Sequence, residues 1–140
     1  HWRGRPSGAP FFAVFNFEQS HEGRIRGEAD ATAALAGIAE KHDPARAVLP
    51  PYYPDTELVR KDWATYHDLV TAVDQRVGQV LDELRDDGLE RDTIVFFWSD
   101  HGRGLPRAKR WLYDSGIHVP LIVRWPGQVT PGSTSSELIN

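Results

Sequence analysis

Thr93-Ile94-Val95-Phe96-Phe97-Trp98-Ser99-Asp100-His101-Gly102-Arg103-Gly104 is the stretch from which the fold is read. Its first half is an apolar run rich in β-branched and aromatic side chains. Such a run predicts a strand covered on both faces, as in a largely parallel sheet. Its second half is polar and carries two glycines, which predicts a loop at the carboxyl end of that strand. Upstream, Pro10-Phe11-Phe12-Ala13-Val14-Phe15-Asn16-Phe17 predicts another buried strand, and downstream Val119-Pro120-Leu121-Ile122-Val123 predicts a third before the turn Trp125-Pro126-Gly127.

Between the first two strands the spacing predicts one long helix. Asp55 or Thr56 offers an N-cap after Pro54. Apolar residues then recur every three or four positions, from Trp63 and Tyr66 through Leu69, Val73 and Val77 to Leu84, with Gly88 as the terminator. The opposite face, with Asp68, Gln75, Asp82 and Arg85, reads as solvated. Residues 28–41 are Ala-rich and read as a short helix or a surface loop, and the prolines at 50, 51 and 54 read as an extended crossing. Strand, crossover, helix and strand in this order predict an α/β fold of mostly parallel strands with flanking helices.

With 140 residues, 40% hydrophobic and 26% charged, the chain has the balance of one ordinary globular domain. A net charge of −4 gives no basic field for nucleic acid. No apolar run approaches the roughly 20 residues of a membrane span. Cysteine is absent, which removes disulfides, thiolate metal sites and a cysteine nucleophile from this stretch. Methionine is absent as well, and the chain opens on His1-Trp2-Arg3-Gly4. It reads as an internal piece of a longer protein, and its oligomeric state is left open.

The chemistry concentrates beyond the strand ends. In open α/β sheets, ligands bind in the crevice outside the carboxyl ends of strands. Asp100 and His101 stand there, and a carboxylate beside an imidazole suits a cation. Gly102 and Gly104 would let the backbone turn sharply and approach an anion. The plainer alternative is that Asp100 caps a turn and His101 makes a loop hydrogen bond. Arg107, Lys109 and Arg110 follow, a cluster suited to an anionic ester or to a solvated basic loop. His21 lies just past the first predicted strand, where it could hold an anionic oxygen or protonate a leaving group, or simply sit at the surface. No role is given to His1, His42, His67 or His118.

In this order and spacing, the blocks resemble the sulfatase family, within the alkaline-phosphatase-like superfamily. They are Pro10-Phe11-Phe12 through His21, Tyr66 through Gly88 with Asp92-Thr93-Ile94-Val95, Ser99-Asp100-His101-Gly102, and Lys109 with Tyr113-Asp114-Ser115-Gly116 and residues 119–127. The version with His101 and Lys109-Arg110-Trp111-Leu112-Tyr113 is most similar to the heparan N-sulfatase-like branch. The resemblance implies a sulfuric ester hydrolase, with Asp100 and His101 as ligands of a divalent cation, usually Ca2+, and His21 and Lys109 as catalytic and substrate-binding contacts to the sulfate. It implies a sulfated small molecule or carbohydrate as substrate and a periplasmic, secreted or lysosome-like location.

Two parts of the family pattern do not occur here. The nucleophile, a formylglycine made from Cys or Ser in Cys/Ser-x-Pro-x-Arg, has no counterpart, since Ser7-Gly8-Ala9-Pro10 places its proline one residue late. The acidic pair on the family's first strand is missing too. Residues 1–140 therefore read as an internal portion of the catalytic domain, without its nucleophile region and C-terminal part, and inactive alone. Two other readings stay open: a phosphoester or phosphonate hydrolase of the same superfamily, and a non-catalytic binding domain that kept the fold.

Overall fold

The computed structural model describes residues 1–139. Among them are four α-helices, α1 (Glu22–Arg26), α2 (Glu28–Ala34), α3 (Glu57–Asp86) and α4 (Asp114–Ile117), and two strands, β1 (Val95–Trp98) and β2 (Leu121–Arg124), with short 3-10 turns between.

The long helix forms as its spacing predicts. Thr56 caps α3, its side chain accepting the Val59 amide at 3.3 Å. At the other end Gly88 takes φ +71°. The Leu89 amide returns to the Leu84 carbonyl and the Gly88 amide to the Arg85 carbonyl, a Schellman closure that needs the left-handed residue. Trp63, Leu69, Val73 and Leu84 of the expected stripe are buried. Trp63, Leu69 and Ala72 join Ile25 of α1, Leu35 and Ile38 after α2, and Leu105 of the later loop in one apolar cluster.

Asp68 departs from the expected solvated face: it is only 4% exposed. The crossing segment lies over that side of α3, so Asp68 Oδ1 accepts both the backbone amide and the ring Nδ1 of His42, each at 2.7 Å. Arg60 fastens the same crossing, donating to the carbonyls of Ala45 and Ala47 at 3.1 Å.

The strands are shorter than the apolar runs. Pro120 has no N–H to give a ladder, so the run at 119–123 pairs only from Leu121 onward. β1 and β2 pair antiparallel, with Val95 opposite Arg124 and Trp98 opposite Leu121. This pair is the whole sheet among the described residues, where the sequence pattern predicts mostly parallel strands. Residues 10–17 enter no ladder. Instead Phe11 and Phe15 pack on Trp2, each ring 5.8 Å away. The faces predicted to be covered are open: Phe12 is 92% exposed, and Phe96, Trp98 and Ile122 are exposed as well. No helix of the described residues is long and apolar enough to cross a membrane.

Two substitutions test this core. Asp68→Ala leaves the His42 amide and ring without their acceptor and should cost about 1–3 kcal/mol. Leu69→Ala, at a fully buried site, should cost about 2–5 kcal/mol. Urea unfolding against wild type measures both.

Candidate functional site

His21 stands at the N-cap of α1, and its Nδ1 accepts the Gly23 amide hydrogen at 3.2 Å. In the neutral ring that acceptance puts the proton on Nε2. Nε2 points at Lys109 Nζ, 3.3 Å away and 88 residues on in sequence. An Nε2–H and an ammonium are both donors, so neither satisfies the other. What the two can share is an acceptor, and an anionic oxygen is the acceptor best suited to a cation and an N–H together.

The loop that carries Lys109 is held from several sides. Leu105 and Ala108 are buried, and the Lys109 amide donates to the Arg103 carbonyl at 3.0 Å. Gly102 donates its amide to the Gly116 carbonyl at 2.9 Å. A Cβ on Gly102 would strike the Ser115 carbonyl oxygen, and one on Gly104 would lie 2.5 Å from Glu22 Cβ and 2.6 Å from Glu22 Cα. Both glycines therefore serve close packing, and neither takes a left-handed φ. The left-handed residues are Arg107, φ +64°, and Arg110, φ +74°. For side-chain-bearing residues this conformation is strained, and it persists only where surrounding contacts fix it.

Those contacts separate the cations. The Arg107 guanidinium sits 4.6 Å from the Tyr52 ring centre and 4.5 Å from that of Tyr113. Arg110 grips both carboxylate oxygens of Glu22, at 3.2 and 2.8 Å. Arg103 lies over Trp63 at 4.7 Å and donates to the Tyr52 hydroxyl at 2.9 Å. Lys109, beside its approach to His21, makes a longer ion pair among the described residues, Nζ to Glu22 Oε2 at 3.8 Å. Among the described residues, its ammonium is the cation of this loop that no carboxylate or ring holds at hydrogen-bonding or stacking distance.

Asp100 and His101 form a second, opposite arrangement at the end of β1. His101 Nδ1 lies 2.7 Å from the Gly102 carbonyl, which can only accept, so this nitrogen carries the proton. In the neutral ring Nε2 is then an acceptor, and it faces Asp100 Oδ2 at 3.5 Å. Two acceptors face each other, and a proton or a metal cation reconciles them. Asp100 is 83% exposed in its side chain and His101 is 38% exposed, which leaves the pair open to an ion from solvent. Among the described residues no group of three or more His, Cys, Asp or Glu converges as a metal site. The donor set thus fits part of a cation's shell, and an oxygen-seeking cation such as calcium would take the carboxylate first.

Glu22 was the residue that sequence reading passed over. The signal lay in the order of charges: an acid directly after His21 and a base directly after Lys109. The Arg110 hydrogen bond, with added attraction from Arg110, Arg26 and Lys109, holds the Glu22 carboxyl below the usual glutamate range against the opposing effect of desolvation.

The chain matches the Sulfatase family model over residues 2–140. It belongs to the sulfatase family. It is 36% identical to the ulvan-active sulfatase of Formosa agariphila, an alignment covering 100% of this chain and 28% of that protein. It is 40% identical to the N-sulphoglucosamine sulphohydrolase of Homo sapiens, over 62% of this chain and 17% of the relative. It is 36% identical to the steryl-sulfatase of Mus musculus, over 51% and 14% respectively. The sulfatase chain thus spans less than a third of the length of these relatives. Family membership brings with it the alkaline-phosphatase-like α/β fold, of which the described residues hold α3 and the β1–β2 pair.

Two measurements check the geometry of this sulfatase segment. Gly104→Ala should drive α1 off the loop and lower the thermal midpoint, whereas Gly4→Ala, which meets no atom within 4 Å, should change it little. The depressed Glu22 carboxyl contributes stability that is complete above its ordinary value of 4.5. That contribution is lost as pH falls through the lowered folded value. The gap in thermal midpoint between wild type and Glu22→Gln should therefore hold at neutral pH and close in acid.

Proposed function

We propose that this chain is the sulfate-gripping part of a sulfuric ester hydrolase, an internal portion of its catalytic domain. The observation that carries the reading is the convergence of two donors, His21 Nε2–H and the Lys109 ammonium, at 3.3 Å. Sulfate offers the oxygens that such a pair lacks. Lys109 binds one by charge, while His21 orients another and holds a proton at Nε2 that the departing alcohol or amine oxygen or nitrogen can take.

Asp100 and His101 would hold a divalent cation, Ca2+ by family usage, with the remaining ligands supplied from outside this chain. Such a cation, when bound, supplies Lewis-acid polarisation of the sulfate. The nucleophile, a formylglycine in the family, would also come from outside residues 1–140, so the chain alone is inactive. In the complete domain the open faces of β1 and of residues 10–17 would be covered by a larger, mostly parallel sheet. That reading is supported by the exposure of Phe12, Phe96 and Trp98.

The substrate class is a sulfated carbohydrate or small molecule. This rests on family membership and on relatives named for ulvan and for N-sulphoglucosamine. A periplasmic, secreted or lysosome-like location rests on family membership alone.

The test is hydrolysis of an aryl sulfate, beside an aryl phosphate, by the full-length protein and its His21→Ala, Lys109→Ala and Asp100→Ala variants. Loss of a developing-charge contact typically costs about 10²–10³-fold in turnover, and sulfate hydrolysis should fall that far for His21→Ala and Lys109→Ala. Asp100→Ala should fall likewise, with partial recovery at raised calcium. Phosphate turnover without sulfate turnover would move the protein to the phosphohydrolases of the same superfamily. Full sulfate turnover by Lys109→Ala would remove the grip from these residues.

A further inference from the structure

We infer that Glu22 is a positioning residue for the sulfate contacts, a carboxylate that sets the Lys109 ammonium beside His21. The inference rests on the reading of that pair as the sulfate grip. Glu22 directly follows His21, and its bidentate partner Arg110 directly follows Lys109, so one ion pair ties two segments 88 residues apart. The Glu22 and Lys109 side chains are each only 17% exposed, so the contact lies inside the fold's surface layer. Gly104 packs on the Glu22 backbone and Cβ with no room for a side chain between them. The carboxylate is thereby fixed before any ligand arrives.

The charges around Glu22 explain why Lys109 is aimed without being cancelled. The groups that face the carboxylate are Arg110 at 2.8 Å, Arg26 at 3.7 Å and Lys109 at 3.8 Å. Arg110 occupies both oxygens at hydrogen-bonding distance and takes up most of the negative charge. What reaches Lys109 is a longer attraction, enough to hold the ammonium toward His21 while leaving its hydrogens for an anion. The positive φ of Arg110 falls on the residue that makes the bidentate pair.

A latch that merely stabilised the loop would make different predictions from a residue that acts through Lys109. The experiment uses the full-length protein, with aryl sulfate turnover and inhibition by inorganic sulfate measured for Glu22→Gln, Arg110→Gln, Lys109→Ala and the Glu22→Gln/Lys109→Ala double variant. Thermal midpoints accompany each. Glu22→Gln should lower kcat/KM and weaken sulfate inhibition by roughly tenfold, in the range of a lost positioning contact. Arg110→Gln should do the same by releasing Glu22 to pair with Lys109. In the Lys109→Ala background Glu22→Gln should change nothing further, because the effect runs through the missing ammonium.

Wild-type kinetics for Glu22→Gln and Arg110→Gln, with Lys109→Ala still impaired, would overturn the inference and leave the sulfate grip standing. An equal Glu22→Gln effect with and without Lys109 would also overturn it, by showing a loop latch. Full turnover by Lys109→Ala would sink the grip itself, and the inference with it. Should Glu22→Gln fail to fold, Arg110→Gln alone decides, since its surface guanidinium is the less buried member of the pair.

Discussion

The shared burial of Ile25, Trp63, Leu69 and Leu105 in one apolar cluster is the constraint on which the arrangement depends. Ile25 belongs to the helix that His21 caps, and Leu105 to the loop that carries Lys109. Neither segment has enough apolar surface of its own to stay folded in water, since a five-residue helix is far below the length that is stable alone. Each is held by docking on α3, whose own ends are fixed by Thr56 and Gly88. The hydrophobic contact, not the polar one, therefore brings the charged groups together, and Glu22 with Arg110 then sets their direction.

His21 and His101 show how backbone partners assign opposite chemistry to one side chain. The Gly23 amide makes His21 Nδ1 an acceptor and leaves Nε2 a donor. The Gly102 carbonyl makes His101 Nδ1 a donor and leaves Nε2 an acceptor. The first ring is then set beside an ammonium and the second beside a carboxylate. One place is short of an acceptor and the other is short of a cation.

The long helix was legible because its signals are local: a cap residue, a 3.6-residue apolar period and a glycine at the end all lie within the segment. The start of β2 was not, because the apolar run carries on through Pro120 while the ladder begins only at Leu121. Asp68 was not, because nothing in its helical position reveals that His42 will cross above it. The direction of β2 was not legible either. The apolar run fixes which residues suit a strand, but pairing direction depends on how the intervening loop and α4 return the chain. At the candidate site, residue type beyond strand-like runs singles out His21, Asp100, His101 and Lys109 as candidates. The separation of Lys109 from Arg107 and Arg110 was not legible, since it depends on partners distant in sequence.

That separation is an argument about competition for charge. Arg103, Arg107, Lys109 and Arg110 are crowded into one loop, and a bare cluster of this kind would repel itself and bind anions without geometry. Aromatic faces suit guanidinium, which is planar and weakly hydrated, and a carboxylate suits its forked donors. Trp63, Tyr52, Tyr113 and Glu22 therefore draw off the arginines selectively. An ammonium has neither the flat surface to stack nor the fork to bind bidentately, so Lys109 is the cation that these partners leave available. An arginine at position 109 would be the better salt-bridge former with Glu22, and for that reason less free to meet an anion.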